Sequence, residues 1–369
     1  MQKITKFLKY AKVGYHYFRN RQLTGRSINE KKMYTGPWTA YLSITNKCNC
    51  TCIQCPSNIA IEAKKEKQSE NLTLDEYYNL VDQLVDSGCF RIGLSGGEPL
   101  IYKEKVLSIL EKINERAYSQ IVTNGSLLDS EFLEKYDKIG GGHITISIDG
   151  MSGLHDKIRG KKGLFKKVES LFSDNGFKNI IFKSTFVLFN ENVEDLLPTA
   201  KYFIERKIPF FISPYENYNR KHSLEECRKD PLWIQNDKET IFKDSLSEII
   251  NLKKNYPHII INNTSHLQEI ENYFLKPEKA LAMPKKCYFG YRTVYITPKG
   301  DVETCNGIIG SIRNKKFFEI WDSEEFHDKR INQLRCKKNC MLGCIIDHSY
   351  FDLLRLVIYQ TFKGGFRNK

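Results

Sequence analysis

No stretch of this chain approaches the roughly 20 consecutive apolar residues needed to span a bilayer. The N-terminal segment MQKITKFLKYAKVGYHYF interrupts every apolar run with a basic residue, so it lacks the continuous apolar region of a secretory signal. The 369 residues contain no internal repeat and no low-complexity linker. These absences lead to the expectation of a cytoplasmic protein. In that compartment thiols stay reduced, so clustered cysteines serve metal binding or chemistry rather than disulfides.

Material for a core is plentiful. With 41% hydrophobic and 12% aromatic residues, the chain suits one large α/β domain with an appendage, or two ordinary domains, and excludes disorder on a large scale. The net charge of +13 is spread over segments such as KKEK, GKKGLFKK, NLKKN and RNKK rather than held in one block. Such a surface is solvated, and its field favours anionic partners such as acidic peptides, nucleic acid or a phospholipid surface.

Four of the eleven cysteines fall within TNKCNCTCIQCP, Thr45–Pro56. Neighbouring thiolates select soft metals, as tetrahedral zinc or an iron-sulfur cluster. Structural zinc takes CxxC pairs, two and two, whereas Cys48, Cys52 and Cys55 form CxxxCxxC with no second pair nearby. Three thiolates on a four-iron cubane leave one iron open for a substrate or cofactor.

From residue 39 to 214 β-type and helical patterns alternate. TAYLSIT, FRIGLSGGEP, YSQIVTNG, HITISIDG, NIIFKSTFVLF and IPFFISP read as strands, with helices between them. Thr73 and Glu76 have capping-box spacing ahead of one such helix. The alternation predicts a parallel sheet, and the punctuating CNCTCIQC, SGGEP, TNG and SIDG all follow strands. Ligands in such folds bind at the C-terminal edge of the strands, so the four motifs predict one site.

In residue type, spacing and order, CxxxCxxC, SGGEP, TNG and SIDG with HDKIRG resemble the radical S-adenosylmethionine (radical SAM) family over residues 38–214. The resemblance implies a partial (β/α)6 TIM-type barrel, and a 4Fe-4S cluster on Cys48, Cys52 and Cys55 whose open iron chelates SAM. It also implies reductive cleavage of SAM to a 5′-deoxyadenosyl radical, with a flavodoxin- or ferredoxin-type electron donor. Cys50 falls inside the CxxxC interval and fits no ligand position, while Cys89 and Cys227 are isolated and read as small buried thiols. By the same resemblance Gly96, Gly97, Glu98 and Pro99 meet the SAM amino group, and Asn124, Ser147 and Asp149 lie near its ribose or the substrate. His155 and Arg159 belong to a loop typical of one subgroup, His155 in a structural role. No acid or base is assigned.

The C-terminal cysteines resemble that subgroup's SPASM or twitch extension. CYFGYRTVYITPKGDVETC reads as a hairpin with Cys287 and Cys305 at its ends. Five cysteines, Cys287, Cys305, Cys336, Cys340 and Cys344, fall short of the seven or more of a full SPASM domain. The expectation is one auxiliary cluster on Cys287, Cys305, Cys340 and Cys344, with Cys336 spare; two clusters with substituted ligation, or zinc, are the rival readings. The domains expected are a basic, partly helical arm (1–36), the barrel (37–214), a segment lining the substrate opening (215–283), the auxiliary domain (284–348) and an amphipathic tail (349–369).

Three functions follow. The first is an oxidoreductase-type radical SAM enzyme modifying a peptide or protein side chain, although residues 1–36 are too few for the winged-helix leader-binding domain of many peptide maturases. The second is a dehydrogenase or epimerase of a small molecule such as a sugar, cyclitol or nucleoside. The third is a non-catalytic iron-sulfur scaffold. No nucleic-acid partner is expected, and the two terminal segments leave room for peripheral membrane contact.

Overall fold

The structure is a computed structural model and describes residues 2–55, 66–173, 176–216, 223–280, 287–305, 307–336 and 340–341. Six strands follow one another in parallel: β1 (Thr39–Ser43), β2 (Arg91–Ser95), β3 (Tyr118–Thr123), β4 (His143–Ser147), β5 (Ile181–Leu188) and β6 (Phe210–Pro214). Sequential neighbours pair throughout, which is the arc of the expected partial (β/α)6 barrel. The sheet does not stop at β1. On its other side lie β7 (Thr293–Ile296), parallel to β1, and then β8 (Asp301–Thr304) and β9 (Gly307–Ser311), both antiparallel. The predicted hairpin is therefore β7–β8, and it extends the barrel sheet to nine strands in the order β6-β5-β4-β3-β2-β1-β7-β8-β9.

Alternation along the strands decides which face is covered. Ala40, Leu42, Ile92, Leu94, Ile121, Ile144, Ile146, Phe186 and Ile212 are buried in one cluster with helix residues such as Leu80, Leu84, Ile109, Phe132, Val168 and Phe203. The intervening residues Tyr41, Gln120, Val122, Lys183 and Phe211 point to the opposite, concave face and are only half-buried. Most helices pack on the first face; on the second, Phe211 packs against His266 of the helix Thr264–Leu275 with ring centroids 5.4 Å apart.

Local signals account for several elements. The helix Leu74–Asp86 begins with the expected capping box, Thr73 Oγ1 accepting from the Glu76 N–H and the Glu76 carboxylate accepting from the Thr73 N–H at 2.7 Å. Pro198 sits in the first turn of Leu196–Glu205, where its missing N–H costs nothing. The basic arm is one long helix, Gln2–Glu30. Its buried stripe is largely polar, Asn20, Thr24 and Ser27 beside Tyr17. Asn20 donates to the Gly88 carbonyl at 3.0 Å and Thr24 accepts from the Trp38 indole at 3.2 Å, pinning the helix to the start of β1 and β2. The sequence called HDKIRG a loop; the structure corrects this to a short helix, Ser152–Arg159, closed by Gly160 in the left-handed conformation. Segment 215–283 holds two long helices, Glu239–Asn255 and Thr264–Leu275, with the short Leu224–Cys227 and Pro277–Ala280 beside them. Among the described residues no helix is long and apolar enough to cross a membrane. The amphipathic tail expected at 349–369 lies outside the described residues.

Candidate active site

The cysteine-bearing loop leaves the end of β1 and is fastened along both flanks by backbone hydrogen bonds. On one side the Ile44 N–H donates to Ser95, the Gly97 N–H to Thr45 at 2.7 Å and the Glu98 N–H to Lys47 at 2.8 Å. On the other side the Thr51 and Ile53 N–H groups donate to the carbonyls of Arg159 and Ile158 at 3.1 and 3.0 Å. SGGEP and HDKIRG thus grip the loop between them. A Cβ at Gly96 would stand 2.2 Å from the Thr45 carbonyl oxygen, and one at Gly97 2.3 Å from that of Lys47. The close approach that demands glycine here is made by the chain's own cysteine loop.

Four thiols ride on this loop. Cys48 and Cys55 are exposed, while Cys50 and Cys52 are half-buried. The Cys50 thiol donates to Cys48, which together with nearby backbone donors and Asn124 holds Cys48 down to about 6; the same bond pushes Cys50 up. Burial raises Cys52 and Cys55, and the field of neighbouring thiolates adds to it. Asn124 Nδ2 reaches the Cys48 sulfur at 3.9 Å and Arg159 Nη1 that of Cys52 at 3.6 Å. Among the described residues no three His, Cys, Asp or Glu side chains converge on the point a single metal ion would need. A cubane asks for less convergence, because each thiolate meets its own iron. Three thiols on one fastened loop, two of them with N–H donors at sulfur, fit such a cluster.

The carboxylates predicted at the strand ends serve the chain itself. Glu98 has no exposed surface; its carboxylate accepts from the Leu100 N–H at 3.0 Å, the Thr123 hydroxyl at 2.7 Å and the Asn124 N–H at 2.8 Å. Burial pushes it up to about 7 against those donors. It ties the end of β2 to the end of β3, and Pro99 next to it is buried in a 3-10 turn. Asn124 also donates to Asn49 Oδ1 at 2.9 Å, joining TNG to the cysteine loop. Asp149 is fully buried as well: Oδ2 accepts from Arg159 Nη2 at 2.5 Å and Gln54 Nε2 at 2.7 Å, and Oδ1 from the Val187 N–H at 2.8 Å. Ser147, at the end of β4, stays half-buried. His155 is buried, and its Nδ1 accepts from the Asp149 N–H at 3.2 Å, so Nε2 carries the proton; burial lowers its pKa to about 4. Gln54 and Asn49 complete the site without having been singled out, although both lie between the cysteines; Arg159, named with HDKIRG, joins them.

The C-terminal cysteines are not gathered at one strand edge: β8 runs antiparallel, so its end and Cys305 lie level with the start of β1, whereas Glu216 follows the end of β6. Cys305 is exposed at the end of β8 and accepts from Gln333 Nε2 at 3.5 Å; Cys287, Cys336 and Cys340 are half-buried. The Met341 N–H donates to the Glu216 carboxylate at 2.5 Å, two residues past β6. Cys340 is thereby held near the edge from which the first cysteine loop emerges. Cys344 lies outside the described residues.

Family models match the chain in two places, the radical SAM superfamily over residues 42–203 and the SPASM iron-sulfur cluster-binding domain over residues 287–344. The chain is a radical SAM protein with a C-terminal SPASM domain. These domains bring SAM and 4Fe-4S clusters, an auxiliary cluster among them. Two relatives come from Methanosarcina barkeri (strain Fusaro / DSM 804). The Fe-coproporphyrin III synthase is 29% identical over 51% of this chain, which spans about half (48%) of that protein's length. The AdoMet-dependent heme synthase is 24% identical over 84% of this chain and 88% of its own length. A PqqA peptide cyclase of Bradyrhizobium diazoefficiens is 27% identical over 36% of this chain and 34% of the cyclase. Among solved structures, Streptococcus suis SuiB bound to the precursor peptide SuiA shares the fold, with a TM-score of 0.59 at 17% identity over 84% of this chain and 70% of SuiB.

Proposed function

We propose that this radical SAM protein is an enzyme that oxidises or crosslinks a side chain of an acidic peptide, with Cys48, Cys52 and Cys55 as ligands of the SAM-binding cluster. The observation that carries the reading is the cysteine loop clamped between SGGEP and the Ser152–Arg159 helix, at the strand ends beside the half-buried face of the sheet. When bound, the reduced cluster and SAM supply a 5′-deoxyadenosyl radical that takes a hydrogen atom from the substrate. The chain's own residues hold and shield. Gly97 and Glu98 keep the loop in register through their N–H groups. Half-buried Tyr41, Gln120, Val122 and Phe211 offer the concave face to the substrate. Cys287, Cys305, Cys340 and Cys344 would hold the auxiliary cluster, which would supply a substrate-binding iron or an electron acceptor there. The +13 net charge suits an acidic peptide and an acidic flavodoxin-type electron donor. One relative is named a PqqA peptide cyclase, and SuiB is bound to a precursor peptide.

A second reading, a tetrapyrrole substrate, is favoured by the alignment with heme synthase, which spans 88% of that protein. Anaerobic reconstitution followed by SAM and dithionite tests the core of the proposal, with 5′-deoxyadenosine as the product measured. Cleavage should vanish in Cys48→Ala/Cys52→Ala/Cys55→Ala, and cleavage that survives the triple substitution rejects the assignment. Stimulation by an Asp/Glu-rich peptide supports the peptide reading; stimulation by Fe-coproporphyrin III alone replaces it with the second.

A further inference from the structure

Arg159 is an unusual neighbour for a thiolate. Its side chain is only 10% exposed, and the guanidinium is clamped by Asp149, whose side chain is 0% exposed and whose oxygens are themselves fixed by Gln54 and the Val187 N–H. The same guanidinium presents Nη1 to the Cys52 sulfur at 3.6 Å. The Arg159 carbonyl meanwhile accepts from the Thr51 N–H, so backbone and side chain of one residue bracket the residue before Cys52 and the Cys52 sulfur itself. The three sulfurs are not treated alike. Cys48 faces a neutral amide, Asn124 Nδ2 at 3.9 Å, and Cys55 has no donor in hydrogen-bond range among the described residues.

We propose that Arg159 is a positioning residue that sets the reduction potential of the cluster by donating a charged hydrogen bond to Cys52, with Asp149 and Gln54 holding the guanidinium in place. The inference rests on the reading that Cys48, Cys52 and Cys55 hold the cluster. Reduction adds one electron, here from dithionite, and therefore one negative charge to the cluster and its thiolates. A fixed cation at a ligand sulfur, screened from water, stabilises the reduced form more than the oxidised form. Removing the charge lowers the potential and leaves less reduced cluster at a given poise. The Arg159–Asp149 pair nearly cancels at long range, yet its positive end is the one that touches sulfur, so the local effect keeps its sign.

The test is an EPR-monitored redox titration of the reconstituted full chain, with the signal of Cys48→Ala/Cys52→Ala/Cys55→Ala subtracted to remove the auxiliary cluster. Arg159→Lys keeps the charge without the fork that reaches both Asp149 and sulfur; Arg159→Gln keeps N–H groups without the charge. The expected order of reduced cluster at one poise is wild type, then Arg159→Lys, then Arg159→Gln. The last should be down about tenfold, equivalent to about 59 mV for a one-electron couple. Variants with full iron counts that titrate with the wild type overturn the proposal, since a purely structural role does not move a potential. If Arg159→Gln fails to load iron, Arg159→Lys decides alone: a lower reduced fraction supports the proposal, and an equal or higher one rejects it. Failure of the cluster assignment looks different, as unchanged iron in the triple variant or no change of the wild-type signal on adding SAM.

Discussion

Gly97 and Lys47 meet backbone to backbone: a Cβ at Gly97 would lie 2.3 Å from the Lys47 carbonyl oxygen, with the Asn46 carbonyl at 2.5 Å. Neither neighbour is a flexible side chain, so Gly97→Ala must push the cysteine loop outward. The Gly97 N–H bond to Thr45 is lost in the same movement. Overpacking of this kind costs roughly 1–3 kcal/mol. Urea unfolding of the metal-free chain should show that loss, and reconstitution should give less iron on the first cluster. A variant as stable and as iron-rich as the wild type would mean that the loop is free to shift.

His155 gives the fold a pH dependence whose sign follows from its burial. In the folded chain its pKa is held near 4, below the value of about 6.5 it has when unfolded, so the unfolded state binds a proton that the folded state refuses. Stability from this residue is complete above about pH 6.5 and is lost as the pH falls toward 4, by about 2 kcal/mol at pH 5 at ~1.4 kcal/mol per unit. Unfolding free energies of wild type and His155→Gln at pH 7 and pH 5 isolate it. The wild type should lose more on acidification than the variant. Equal slopes would place the titrating group elsewhere.

The strands and most helices could be read directly because each signal was local. Alternation of β-type and helical periodicity, the Thr73/Glu76 capping box and the motifs at strand ends all lie within a dozen residues of what they specify. The helix Ser152–Arg159 was missed for an equally local reason: its N-cap, Met151, has no capping side chain, and Gly153 lies inside it. Thr264–Leu275 did carry a signal, Asn263 accepting from the His266 N–H at 2.7 Å ahead of Leu267, Ile270 and Phe274. The direction of the carboxylates was beyond reach. Glu98 and Asp149 are the residue types expected to meet a ligand, but Glu98 is satisfied by Thr123 and Asn124, and Asp149 by Gln54 and Arg159. Those contacts join segments from ten to nearly a hundred residues apart. No periodicity encodes them.

Cys50 should be dispensable for iron. Its thiol donates to Cys48 rather than standing apart, and burial together with that bond pushes its own ionisation up, which disfavours a thiolate ligand. Cys50→Ser keeps a donor at that position, so iron content and 5′-deoxyadenosine formation should stay close to wild type, whereas Cys52→Ala should abolish cleavage. Iron loss in Cys50→Ser comparable with that in Cys52→Ala would place Cys50 among the ligands.

Arg330 organises the SPASM end of the chain with no carboxylate in salt-bridge range among the described residues. It is fully buried, with Nη2 donating to the Trp321 carbonyl at 2.6 Å and Nε to the Gly290 carbonyl at 2.5 Å. Its guanidinium lies over Phe326 at 3.5 Å and Trp321 at 4.4 Å. The Trp321 indole in turn donates to the Thr35 carbonyl at 2.9 Å, so this one residue links the turn before β7, the helix Phe317–Trp321 and the segment leading into β1. Lysine keeps the charge but not the planar fork or the stacking. Arg330→Lys should therefore destabilise the chain by about 3 kcal/mol, the range for breaking a buried polar network. Because Gln333 and Cys336 follow Arg330 on the same stretch, the loss should fall first on the auxiliary cluster. Iron counting should show about four atoms lost while SAM cleavage persists. Full iron in a chain of unchanged stability would mean that the ammonium replaces the guanidinium at both carbonyls.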